Sequence, residues 1–246
     1  MEKLVRAVGV LACLMSLAGG VVLVSAVTKM LAGQNGYKFK GKARGLEAMP
    51  ALAMGFVDDA GDVQGFLDSE DGKRAELRRG LAFDNVFIVA YWLLFAGLSV
   101  LLARRDFSLG GWNLAVWLAA FAALCATGAA VSDVVENART TALLDAAEVT
   151  GPLVTGVAAA SFWKWLLISL ATLALSTVFM WGGDSKVLLW GGGLFLLYAL
   201  IGLLTLAGIL GGLPRLVAFG FLLNFLGLLG IAVLFTAWPR WVVGRL

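Results

Sequence analysis

The sequence contains no histidine. That absence removes the usual axial haem ligand, the imidazole ligand of zinc sites and the common physiological-pH switch. Cysteine is nearly absent too: Cys13 and Cys125 are the only two, and each lies inside an apolar run. Two isolated thiols form neither a metal motif nor a CxxC redox pair, and they read as small buried hydrophobes. Charge is scarce at 14% of residues, against about 25% in a typical soluble domain. The formal net charge of +3 is too small to argue for a nucleic-acid partner. There is no Walker loop, dinucleotide fingerprint, nucleophile elbow or HExxH. No cofactor and no metal are expected on these grounds.

What the chain has in abundance is apolar surface: 61% of its 246 residues are hydrophobic. A bilayer core of about 30 Å needs roughly 20 apolar residues in a helix. Six segments meet that length: residues 7–28, 86–103, 112–132, 158–181, 187–210 and 217–238. Trp112, Trp163, Trp165, Trp181, Trp190, Trp238 and Trp241 cluster near their ends, where amphipathic rings favour the headgroup level. The expected fold is therefore all-α, an integral membrane bundle of about six transmembrane helices. The first segment resembles a signal peptide, with Lys3 and Arg6 before it and Val24-Ser25-Ala26 near its end. Its apolar run is longer than an h-region, so it reads as an uncleaved signal-anchor helix over residues 1–28.

Residues 29–85 form the one sizeable polar region and are expected to make an extramembrane loop or cap. It opens with Gln34-Asn35-Gly36-Tyr37-Lys38-Phe39-Lys40, then runs through an apolar stretch, Leu46 to Val57, interrupted by Pro50 and too short to span. Asp58, Asp59 and Asp62 follow, then a helix from about Lys73 that runs into the second span. Nine acidic and nine basic residues lie between Lys29 and Asp84, a balance that suits a small folded cap better than a charged tail. Residues 86–181 carry spans two to four, and residues 187–246 an apolar hairpin and a short tail. The connections Arg104–Gly111, Arg139–Val157, Gly182–Lys186 and Gly211–Leu216 are short, which predicts antiparallel neighbours. Lys3, Arg6, Arg104, Arg105, Lys186, Arg240 and Arg245 fall on one side, and only Arg139 and Arg215 on the short loops opposite. That bias predicts both termini in the cytoplasm.

Ionisable groups inside spans are costly and mark either architecture or function. Asp84 and Asn85 open the second span, with Tyr91 two turns further on. Asp133, Glu136 and Asn137 share one helix face at the end of the third. Lys164 lies about six residues into the fourth. The topology brings all seven to one end of three successive antiparallel helices, with Asp84, Asp133 and Glu136 as the expected partners of Lys164. Three readings follow: a buried ion-pair network that fixes how the helices dock, a polar pocket or proton/ion relay opening toward the long loop, and plain snorkelling of Lys164 to the interface.

The same residues carry a resemblance. Asp84-Asn85-Val86-Phe87-Ile88-Val89-Ala90-Tyr91, the Asp-x-x-Glu-Asn run Asp133-Val134-Val135-Glu136-Asn137 and the following Lys164 resemble a group of uncharacterised bacterial multi-pass membrane proteins built on a four-helix unit. The resemblance covers Met1 to Trp181 and leaves the fifth and sixth helices as an extension. It implies a multi-pass protein of the bacterial inner membrane and no particular activity.

Three functions remain open. The apolar hairpin, without charge between Val187 and Leu213 or Leu216 and Trp238, suits packing on lipid, on a second copy or on other membrane subunits. This favours a non-catalytic accessory or assembly subunit of a larger complex. A transporter or ion/proton-coupled carrier built on the Asp/Glu/Lys cluster is the alternative. An enzyme acting on a lipid headgroup, with Glu136 or Asp133 as base, is the third. Gly208 and Gly212 form a GxxxG pair read as ordinary close packing or an oligomer seam. Asn224 is expected to bond a neighbouring helix, and Gly182-Gly183-Asp184 only superficially resembles an intramembrane protease fragment.

Overall fold

The computed structural model describes residues 1–31, 37–44, 46, 50–69, 73–181 and 187–243; the side chains of 22–31, 187–195 and of residues 50, 51, 73, 76, 181, 214, 221 and 241 fall outside that description. The elements are α1 (Glu2–Leu31), α2 (Pro50–Met54), α3 (Ala60–Asp68), α4 (Lys73–Leu102), β1 (Ser108–Leu109), β2 (Trp112–Asn113), α5 (Leu114–Asp145), α6 (Gly151–Trp181), α7 (Val187–Leu210), α8 (Pro214–Ala237) and α9 (Pro239–Val243), with one 3₁₀ turn at Gly41–Ala43. Every proline stands at a helix start, as the first residue of α2, α8 and α9 and the second of α6. There the missing N–H satisfies no internal bond in any case. The hairpin turns through Gly110 and Gly111, both at positive φ (59° and 84°), as a two-residue type I′ loop demands.

The six long helices close into a ring. Each packs on its chain neighbour, and α8 returns onto α1. The core between them is lined by Val5, Val8 and Ala12 of α1, Leu94 and Leu98 of α4, Ala122 and Ala126 of α5, Ala171 and Leu175 of α6, and Leu228, Ile231 and Phe235 of α8. Alanines dominate where α5 meets α6, and small side chains let the two backbones approach closely. At the α1–α8 seam Gly19 receives the Phe225 ring, which any β-carbon there would strike. Cys13 and Cys125 both pack in this core.

The outer surface of the ring is apolar. Leu14, Leu17, Val21, Leu124, Leu226 and Leu229 are all exposed, a display that a water-soluble monomer does not sustain. Among the described residues five helices are long and apolar enough to cross a membrane: α1, α4, α5, α6 and α8. α7, at 24 residues, is the sixth long helix. The protein is an all-α, multi-pass membrane bundle.

Two expected spans have different bounds. The third, expected over 112–132, is a helix to Asp145, while Trp112 lies in β2 rather than in the helix; the fourth, expected from 158, begins at Gly151. Hydropathy marks where the lipid ends, whereas the helices continue past it because the cap supplies a second apolar surface. The expected loop Arg139–Val157 is thereby reduced to residues 146–150. The cap is built on these projecting ends. Its core joins Phe39, Leu46, Met54, Val57, Val63 and Phe66 to Leu77 of α4, Leu143 and Leu144 of α5, and Val154 and Val157 of α6. The segment thus buries its apolar face against the bundle and not against itself alone. Gln64 Oε1 accepts from the Val149 amide at 3.0 Å, and Arg74 donates to the Leu144 carbonyl at 2.8 Å.

Inside the cap, Asp62 is 2% exposed. It accepts from Tyr37 Oη at 2.7 Å and from the Lys40 amide at 2.8 Å. The Tyr37 ring packs edge-on against Phe39 and Phe66. Burial, then the bond to Asp62, pushes the Tyr37 phenol from its ordinary 10.0 up to about 12. A phenol whose pKa is raised on folding stabilises fully below its unfolded value and loses that contribution as pH rises through the folded one. The cap is therefore expected to resist protease unchanged up to about pH 10 and to loosen between there and about pH 12. Tyr37→Phe should remove that alkaline step. Persistence of the step in the variant would show that another group controls it.

Candidate functional site

Helix geometry sets the height of the polar residues. At 1.5 Å per residue, the nineteen steps from Leu114 to Asp133 in α5 climb about 29 Å, the thickness of a hydrocarbon core. Asp84 to Leu102 in α4 and Lys164 to Trp181 in α6 give about 27 and 26 Å by the same rise. Phe162 and Trp163, both exposed, ring the bundle beside Lys164. The polar residues therefore sit where hydrocarbon gives way to headgroups, with the cap above them.

They meet because side chains lean toward the start of their own helix. Tyr91 and Lys164 lean toward the cap, and Asp133 and Glu136 on the antiparallel α5 lean away from it. Lys164 Nζ lies 3.0 Å from Asp133 Oδ1 and 2.5 Å from Glu136 Oε2. Tyr91 Oη donates to Asp133 Oδ2 at 3.2 Å, and the ammonium also stands 5.3 Å from the centre of the Trp165 ring. Asp133 is 3% exposed and Glu136 7%.

A second group faces the groove between α4 and α5. Asn137 Nδ2 donates to Asp84 Oδ2 at 2.9 Å and to Asn85 Oδ1 at 3.1 Å. The seven sequence-selected residues are thus gathered, but in two sets. Asp133, Glu136, Lys164 and Tyr91 form the buried centre; Asp84, Asn85 and Asn137 form a hydrogen-bonded row beside it. Asp84, an expected partner of Lys164, forms no direct ion pair with it among the described residues: its carboxylate accepts from Asn137 and acts on the ammonium through space.

The structure adds residues that sequence alone did not single out. Gly55, just after α2, seats the cap on the centre: a β-carbon there would collide with Ser161 Oγ and come 3.4 Å from Glu136 Oε1. Ser161 lies one turn before Lys164 and is 1% exposed, and its hydroxyl has no hydrogen-bond partner among the described residues. The only sequence signal for this contact was a glycine following a short proline-opened apolar stretch. Beside the seal, a cleft of about 240 Å³ runs between Phe56, Phe162, Trp165 and Ile209, with Lys42 and Asp58 at its mouth. On the other side of α5, Arg78, Asn85, Asn137 and Thr141 line a groove of about 410 Å³.

The weaker signals resolve in various ways. Gly208 packs on the first turn of α8, against the Val217 amide, and Gly212 is a turn residue at φ 62°, so the pair serves the hairpin. Asn224 has no hydrogen bond among the described residues. Gly182-Gly183-Asp184, Lys186 and Arg245 lie outside those residues, as do the side chains of Trp181, Trp190 and Trp241. No group of three or more Cys, Asp or Glu side chains among the described residues is placed to hold a metal ion.

No family model, curated protein or solved structure matches this chain. The chemistry of the site must be read from its own geometry. A single ammonium bridging two carboxylates, with a phenol on one of them, can hold a fixed charge pattern or take up one further positive charge.

Breaking one member of a buried ion pair strands its partner at a cost of about 3–5 kcal/mol. Lys164→Met is accordingly expected to lower the thermal midpoint in detergent sharply. Lys164→Met combined with Glu136→Gln should be milder than the sum of the two single changes. Additive effects would mean that the pair contributes no coupling energy.

Proposed function

We propose that this is a non-catalytic accessory protein of a bacterial inner membrane that recognises a phospholipid headgroup at its capped end. The observation that carries the reading is the height of the polar residues. Carriers place substrate sites near the bilayer midplane, commonly at broken helices. Here the centre and its row of amides lie at the headgroup level, next to a groove open to lipid. The helices beneath are unbroken by any non-helical residue among those described.

The accessory role is supported by the internal pairing of Lys164 with Asp133 and Glu136. A partner-binding role for the hairpin alone has less support, since α7 and α8 are committed to α6 and α1. The orientation follows from charge. Arg104 reaches Met1 and Arg240 approaches Glu2, so the described basic residues Lys3, Arg6, Arg104, Arg105 and Arg240 gather at the uncapped end. By the positive-inside rule that end is cytoplasmic, and the cap faces the periplasm.

A second reading rests on the centre's charge count: two buried carboxylates share one ammonium, and a dry site neutralises the excess with a proton or small cation. That favours ion- or proton-coupled transport. It predicts flux in proteoliposomes carrying a pH-sensitive dye, abolished by Glu136→Gln.

Two measurements test the main reading. Native mass spectrometry of the protein in mild detergent is expected to show a phospholipid retained through delipidation, and proteomics of the same preparation to show stoichiometric partner proteins. A lipid-free, solitary protein would sink it. A cysteine at Ser69 in the cap should react with an impermeant maleimide in intact spheroplasts, and one at Ser108 should not; the reverse pattern inverts the assignment.

A further inference from the structure

The groove between α4 and α5 has a mixed charge pattern. Arg78, on the first turns of α4, forms an ion pair with Asp145 at the end of α5. Both are solvent-accessible, so the guanidinium keeps further N–H donors for a ligand. One or two turns deeper, Asn85 accepts from Asn137 through Oδ1. Both amide hydrogens of Asn137 are engaged, on Asp84 and Asn85. Asn85 Nδ2 has no hydrogen bond among the described residues and is exposed. Thr141 turns its hydroxyl back to the Asn137 carbonyl at 2.8 Å. The walls, Ala82 and Val134, lead down to the lipid-facing Val86 and Val131, both more than half exposed.

We infer that this groove is a binding site for one phospholipid with a zwitterionic, primary-amine headgroup of the phosphatidylethanolamine type. The inference rests on the headgroup reading above and names its chemistry. Arg78 and Asn85 supply charge-assisted and amide donors to the phosphate. Asp145, on the lining residue Arg78, and Asp84, on the lining residue Asn137, supply acceptors for the ammonium. A glycerol headgroup has no ammonium to give them. A choline headgroup carries three methyl groups and no N–H to give them. The acyl chains leave along Val86 and Val131 into the bilayer, and the volume of about 410 Å³ lies in the range of small-molecule sites.

The experiment offers the whole protein, delipidated in detergent, an equimolar mixture of ethanolamine, choline and glycerol phospholipids with identical chains, and reads retained lipid by native mass spectrometry. About tenfold preference for the ethanolamine lipid is expected, the scale of one charge-assisted hydrogen bond. Asn85→Leu should reduce that preference, and Ala138→Trp, which fills the groove without changing any charge, should abolish retention. Ala138 is exposed and makes no hydrogen bond through its side chain, and an unchanged thermal midpoint of Ala138→Trp in the lipid-free state confirms folding. Equal retention of the choline lipid, or preference for the glycerol lipid, overturns the ethanolamine assignment while leaving headgroup recognition standing. Retention unaffected by Ala138→Trp overturns the groove as the site. No retained lipid at all overturns both.

Discussion

A lysine ammonium held between two carboxylates, at the height where hydrocarbon ends, constrains most of what surrounds it. Lys164 can be buried on α6 only if Asp133 and Glu136 on α5 face it, because an unpaired charge there costs several kcal/mol. That requirement fixes the rotation and vertical register of α5 against α6. The alanine-lined seam below it is non-directional and would tolerate a slip. With α5 set, Asn137 one residue beyond Glu136 must face α4, where it meets Asp84 and Asn85. One ion-pair cluster thus registers three helices.

The cap follows from the same constraint. A charged cluster at the membrane boundary is open to water unless something covers it, and water would weaken each pairing by raising the local dielectric. Gly55 provides the cover, close enough that no β-carbon fits. Its position is held from both sides, by α2 before it and by Val57 packed among Phe66, Val154 and Val157 after it. The projecting ends of α5 and α6 therefore serve the centre by carrying the apolar platform on which its lid rests.

Much of this was legible in the sequence. The helices and their antiparallel order follow from run length and short connections. The seven polar residues stood out because ionisable groups inside apolar runs are rare. The helix from Lys73 was visible in the spacing of Leu77 and Leu81. What was not legible has physical causes. The ends of α5 and α6 were misplaced because composition reports solvent, not hydrogen bonding, and a helix leaving lipid to enter a protein cap changes solvent without changing conformation. Asp84 lies near the ammonium without a direct ion pair to it, because topology fixes the end of the bundle a residue occupies but not its azimuth. Gly55 and Ser161 were invisible because close contact between segments 106 positions apart leaves no local pattern.

The division of the polar residues into two sets also separates two duties. In the buried set the ammonium and the Tyr91 phenol are directed at the carboxylates they hold. In the outer row Asn137 spends both hydrogens inward, and this leaves Asn85 with its donors turned to the groove and Arg78 with donors beyond those used on Asp145. On the proposed reading, the phosphate of a lipid headgroup is the acceptor that meets these donors. Asn137 follows Glu136 directly, so an occupant that pulls on Asn85 pulls on the helix turn that holds the buried centre. On the proposed reading, headgroup binding and the docking of α4, α5 and α6 are linked, and a ligand that binds the docked arrangement better stabilises it by that difference in free energy.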